Sequence, residues 1–113
     1  MKDKLIEVLE VFELPIYQQG SLGRDQAYPD SFFTFWNRSS QGVELYDNDE
    51  HSYLWDFDLN YYTNDPATLN TKLLEAKQKL KEHGFIVFGK GYDVMSDEKS
   101  HVGRGINVKI LEK

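Results

Sequence analysis

The chain has 113 residues, 40% of them hydrophobic and 14% aromatic, and a net charge of −6 at pH 7, which is the composition of one folded domain and not of a disordered segment. It has no cysteine, which excludes disulfides, thiolate metal sites and thiol nucleophiles. The acidic balance argues against sequence-independent nucleic-acid binding, because that mode depends on Lys and Arg displacing phosphate counterions.

At the amino terminus Leu5, Val8, Leu9 and Phe12 recur at helical spacing, with Asp3 as the expected N-cap and Pro15 as the stop. Glu7, Glu10 and Glu13 interrupt the apolar run before it could serve as a secretion signal, and no later stretch approaches the ~20 apolar residues of a membrane span. The expectation is a soluble protein made in a cytoplasm. Residues 16–30 hold Gly20, Gly23 and Pro29 with no sustained period, and read as a long loop or arm available to another chain.

Phe32 to Trp36 form a strand apolar on both faces, and Val43, Leu45 and Tyr46 to His51 a second strand and turn. The clearest strand runs from Tyr53 to Tyr62, where Tyr53, Trp55, Phe57, Leu59 and Tyr61 alternate with Leu54, Asp56, Asp58, Asn60 and Tyr62. Asp65-Pro66 opens a second helix with Leu69, Leu73, Ala76 and Leu80 as its stripe and Leu74 beside it. Lys77, Lys79, Lys81 and His83 suit the negative end of its dipole, and Gly84 supplies the left-handed stop. Phe85 to Phe88 reads as a strand, Gly89 and Gly91 as flexible hairpin residues, and Ile106, Val108 and Ile110 as one face of a last strand. The order points to a single α+β domain over residues 1–113: a mostly antiparallel sheet of four to five strands with two helices packed on one face.

Signals for chemistry are weak. Counted from Asp47, an EF-hand calcium loop would need glycine where Ser52 stands and glutamate where Asp58 stands. No serine lies in a Gly-x-Ser-x-Gly turn, and Gly89-Lys90-Gly91 opens no helix that would cradle phosphate. Gly103-Arg104-Gly105 fits a turn before the last strand as well as it fits an anion nest. No catalytic, cofactor-binding or metal-binding residue is assigned. What exceeds a simple fold is aromatic surface: Phe32 or Phe33, Trp36, Leu54, Tyr62 and Tyr46 fall on the sheet face away from the helices, where polar residues are the norm. Aromatics and Arg are preferred interface anchors, so Tyr28, Phe32, Trp36, Arg38, Tyr46, Leu54 and Tyr62 are the candidate subunit interface.

Tyr28-Pro29, Phe32-Phe33-Thr34-Phe35-Trp36, the aromatic strand to Tyr62, Asn64-Asp65-Pro66, Gly84-Phe85 and Asp93 to Gly103 together resemble the small minor tail proteins of long-tailed phages and prophages, within them the tail terminator or tail completion group. The likeness covers about three quarters of the chain in strand and turn patterns and includes no catalytic signature. It implies an α+β subunit of a homo-hexameric ring at the head-proximal end of the tail tube, a virion protein assembled in the host cytoplasm, without enzymatic activity or cofactor. Its implied partners are further copies of itself, the tail tube protein and a head-completion or connector protein, with no specific nucleic-acid or membrane binding. Acidic charge suits a conduit for DNA, since a like-charged wall repels phosphate; Asp47, Asp49, Glu50, Asp56, Asp58, Asp97 and Glu98 are the candidates for a lumen or inter-ring surface. The contrasting expectation is a small acidic immunity or inhibitor protein that covers a basic nuclease.

Overall fold

The computed structural model describes residues 2–18, 28–42, 53–96 and 99–112. Helix α1 (Lys2–Leu9) turns Leu5, Val8 and Leu9 inward and continues as a 3-10 turn over Glu10–Phe12. Asp3 lies within the first turn, not ahead of it. The stop comes at Glu13, in the left-handed region at φ 57°, with its N–H donating to the Glu10 carbonyl. Pro15 then accepts from Phe33 N–H through its carbonyl at 2.9 Å, which ties the end of this segment to the sheet.

Strand β1 (Ile16–Gln18) occupies the start of the stretch read from sequence as loop, and pairs in parallel with β2 (Ser31–Gly42), Ile16 against Phe33 and Gln18 against Phe35. Three residues are too few to display a period of two. Strand β2 is a single long strand, antiparallel to β3 (Tyr53–Thr63), with a bulge between Asn37 and Ser39. The expected second strand and turn, from Val43 to His51, lie outside the described residues.

The second helix follows its sequence signals closely. The Asp65 carboxylate accepts from Ala67 N–H at 3.1 Å, Pro66 opens a 3-10 turn over Pro66–Thr68, and α2 (Leu69–Glu82) buries Leu73, Ala76 and Leu80. At its far end Gly84 has φ 91° and donates to the Lys81 carbonyl, while Phe85 donates to the Leu80 carbonyl. That pair of bonds is a Schellman stop, and the apolar contact that goes with it is Phe85 against Leu80, both in the core.

Three more strands, β4 (Ile86–Val87), β5 (Tyr92–Val94) and β6 (Val102–Glu112), complete an open sheet ordered β1-β2-β3-β6-β4, with β5 also on β6. The architecture is α+β; the described residues hold two α-helices and six strands, their pairings antiparallel except β1 with β2. Beyond the four or five strands expected, the sheet includes the very short β1 and β5, which the sequence reading does not foresee. Register places Phe33 and Phe35 of β2, Phe57, Leu59 and Tyr61 of β3 and Ile106, Val108 and Ile110 of β6 on one face, where they form the main core with the buried residues of α1 and α2. Tyr53 stays exposed, and Trp55 is half-buried, packed against the edge of this core opposite Ile110.

Gly91 joins β4 to β5 at φ 89°, and a Cβ there would stand 2.5 Å from the Gly105 carbonyl oxygen. Gly91→Ala therefore combines a left-handed backbone with a clash against the main chain of β6. We expect it to lower stability by about 2 kcal/mol or more, read as a lower urea midpoint. Gly84→Ala, with open space at its Cβ, should lose only the backbone part of that cost.

Candidate functional site

The sheet face away from α1 and α2 is built row by row from the strand register. Phe32, Thr34 and Trp36 of β2 stand opposite Tyr62, Asn60 and Asp58 of β3, which stand opposite Gly103, Gly105 and Asn107 of β6. On the outer side of β6, Val94 and Tyr92 of β5 extend the first two rows.

The first row is closed by the chain itself. Phe32 stacks on Tyr62 with ring centres 5.2 Å apart and receives the edges of Tyr17 at 5.9 Å and Tyr28 at 5.4 Å. Gly103 makes room, since a Cβ there would meet the Tyr62 ring and Val94 at 2.7 Å. His101 closes the end: its Nε2 lies 2.7 Å from the Pro29 carbonyl oxygen, its Nδ1 2.8 Å from the Ser100 hydroxyl, and its ring 5.1 Å from Tyr28. The carbonyl can only accept, so Nε2 donates to it. This is a second small core, distinct from the one under the helices. Phe32 and Tyr62, expected at a subunit interface, are thus covered within the subunit, and Tyr28 is one of the residues covering them. Alternation puts Tyr62 on this face and leaves Phe32 and Phe33 as alternatives; it carries no information about the cover, which Tyr17, Tyr28 and His101 provide.

The second row is enclosed but polar. The Thr34 hydroxyl and the Asn60 side-chain oxygen are buried without a hydrogen-bond partner, and Asn60 lies over Gly105, where a Cβ would sit 2.4 Å from that oxygen.

The third row is open. Trp36 is 51% exposed. Beside it Asp58 accepts from the Tyr92 hydroxyl at 3.2 Å and has Arg38 Nε at 3.8 Å, while Asp56 accepts from Asn107 Nδ2 at 2.5 Å. Leu54 is half-buried on the same face, opposite Leu111. Among the candidate interface residues, Trp36 and Arg38 therefore share this accessible region, and Leu54 lies further along the same face. Asp56 and Asp58 are there too, but as members of a mixed-charge strip with Arg38, Asn107 and Lys109, not as a bare acidic wall. Tyr46, Asp47, Asp49, Glu50, Asp97 and Glu98 lie outside the described residues.

Burial raises the pKa of the Tyr92 phenol above its ordinary value, with the Asp58 charge and hydrogen bond adding to the shift and Arg38 opposing it. The neutral phenol is the form the fold favours, so this contribution to stability is complete below the unfolded pKa of about 10. It is lost as pH rises through the folded value. Tyr92→Phe should therefore flatten the fall in stability above pH 10, measured by denaturation at a series of alkaline pH values.

From sequence Gly103-Arg104-Gly105 fits a turn as well as an anion nest, whereas the structure has it inside β6. The two glycines face the rings of Tyr62 and Tyr92. Arg104 binds the Lys90 and Gly91 carbonyls and the Asp93 carboxylate, so it is occupied by its own chain and forms no anion nest. Phe88, 82% exposed, is a further surface feature that sequence reading missed, having placed it inside a strand.

Elsewhere a groove of about 640 Å³ lies where α1 meets the carboxyl end of α2, lined by Asp3, Lys4, Glu7, Val8, Val11 and His83. His83 Nδ1 is 2.8 Å from the Lys79 carbonyl. Among the described residues no three His, Cys, Asp or Glu side chains are grouped to hold a metal ion, and no helix is long and apolar enough to cross a membrane. No protein-family model matches the chain, and no curated protein matches it significantly.

Proposed function

We propose that the protein is a structural virion subunit of the tail-terminator kind, a ring-forming cap at the head-proximal end of a long phage tail tube, with no catalytic step of its own. The observation that carries this reading is Trp36: a large aromatic left half-exposed on the sheet face away from α1 and α2, with Arg38 at the neighbouring Asp58 and Leu54 further along the same face. Exposed aromatics of this kind, rimmed by polar groups, are characteristic of contact surfaces. The residues that carry the resemblance to phage tail proteins support it from the sequence side. In this reading the sheet is a rigid plate, its second core locks the Tyr28-Pro29 segment in place, and the polar strip around Asp58 keeps the free subunit soluble before assembly.

The inhibitor reading asks for a contiguous acidic face to meet a basic partner. It has less support on the described sheet face, where Asp56 and Asp58 are already engaged by Asn107, Tyr92 and Arg38.

The test is direct binding to tail tubes. Purified protein added to tubes assembled without their cap should give extra density at one end only by electron microscopy. Bare ends, or decoration along the whole tube, would refute the assignment.

A further inference from the structure

Phe88 stands at the end of β4 on a turn whose main chain is held at three successive carbonyls. Lys77 Nζ, from α2, donates to Gly89 O at 2.5 Å; Arg104 donates through Nε to Lys90 O and through Nη2 to Gly91 O, both at 3.2 Å. Arg104 Nη1 also holds Asp93 at 2.7 Å, and Gly91 is pressed against the β6 backbone. A connection of this length needs no such bracing merely to join β4 to β5. Fixing the turn in advance lowers the entropy cost of inserting its exposed ring into a partner, which is what a preorganised contact anchor requires.

Trp36 lies at the other side of the sheet. Among the described residues β1 pairs with β2 as far as Phe35, and Trp36 is the next residue along. Between β2 and β4 lie β3 and β6, three spacings or about 14 Å of sheet. The two aromatics therefore cannot cover one another within a subunit. In successive copies arranged head to tail they can, since a heterologous contact joins two different surfaces and repeats around a ring. Charge favours a second copy here as well. The whole chain carries −6 and repels itself, yet the described charges on this face are Arg38 and Lys109 against Asp56 and Asp58, which balance.

We propose that the braced Phe88 turn of one subunit docks on the Trp36 edge of the next, so that each copy offers an aromatic knob at one side of its sheet and receives one at the other. This inference rests on the ring reading above and adds which surfaces meet.

Sedimentation of the full chain, at concentrations where the wild type assembles, tests it with Phe88→Ala and Trp36→Ala. Both side chains are exposed, so circular dichroism and melting should match the wild type. Each variant alone should lose at least about thirtyfold in association constant, the effect of removing an aromatic anchor. An equimolar mixture of the two should form heterodimers and stop there, because every such pair retains one intact knob and one intact edge. Variants that assemble like the wild type, a mixture that stays monomeric, or a Phe88→Ala that loses only tube binding would each overturn the inference and leave the ring reading standing. A wild type that never assembles, alone or on tail tubes, would refute both.

Discussion

Phe32→Ala is expected to cost the fold about 3–5 kcal/mol, the usual range for emptying a fully buried phenylalanine site. Its ring has no exposed surface and is enclosed by Tyr62, Tyr17, Tyr28 and His101. A cavity there cannot collapse easily. Tyr62 is fixed over Gly103 by strand pairing, and Tyr28 is held next to Pro29, whose carbonyl is bonded to His101. A loss of this size is a large share of the ~5–15 kcal/mol that holds a domain together, and should lower the melting temperature by on the order of 10–20 °C. Differential scanning calorimetry reads it directly. Because this cluster is separate from the core under the helices, the loss should appear first as weakened protection of amides in β1 and the first half of β2, followed by hydrogen exchange.

Trp36→Ala should have the opposite profile. The side chain is four positions along the same strand and on the same face, but half of it is in water and no aromatic ring packs on it among the described residues. Truncating it removes little buried surface, so folding stability should change by no more than about 1 kcal/mol. Self-association should fall roughly thirtyfold or more, since an aromatic anchor at the centre of a contact commonly contributes that much. Measuring melting temperature and sedimentation on the same preparation separates the two effects. A Trp36→Ala protein that loses stability as severely as Phe32→Ala would place the indole in the core and remove it from the contact surface.

The contrast between these neighbours marks the boundary of what the sequence discloses. Alternation in β3 identified which residues share a face, because Phe57, Leu59 and Tyr61 repeat with the period of a pleated strand. The start and stop of α2 were legible at Asp65-Pro66 and Gly84, where single residues perform local jobs that need no tertiary context. Placing Trp36 and Leu54 on the face away from α1 and α2 followed from the same alternation. Which aromatics on that face stay uncovered did not follow. Phe32 is shielded by Tyr17, Tyr28 and His101, contacts that depend on the parallel pairing of a three-residue strand and on a histidine far along the chain. Nothing local announces either one.

The glycines around Arg104 were misread for a related reason. Gly103 and Gly105 lie next to one another on one face of β6, where they admit the rings of Tyr62 and Tyr92 and the Asn60 side chain. In sequence the same residues look like a turn, since glycine signals both conformational freedom and close approach. Gly89 and Gly91 do have left-handed backbones, but the turn they form is braced by Lys77 and Arg104 and is not loose. Arg104 was the missed signal. Its guanidinium presents donors in a fixed fork, and a lone arginine between glycines close to a Gly-Lys-Gly turn is well suited to binding that turn's carbonyls.

The mass of the assembled protein decides the central claim, that copies of this chain cover one another's exposed aromatic surface to build a ring. Native mass spectrometry of the full-length chain, at rising concentration and on release from capped tail tubes, should show a closed species of six subunits with no ladder of longer oligomers. A protein that remains a single 13.2 kDa subunit under both conditions would contradict it.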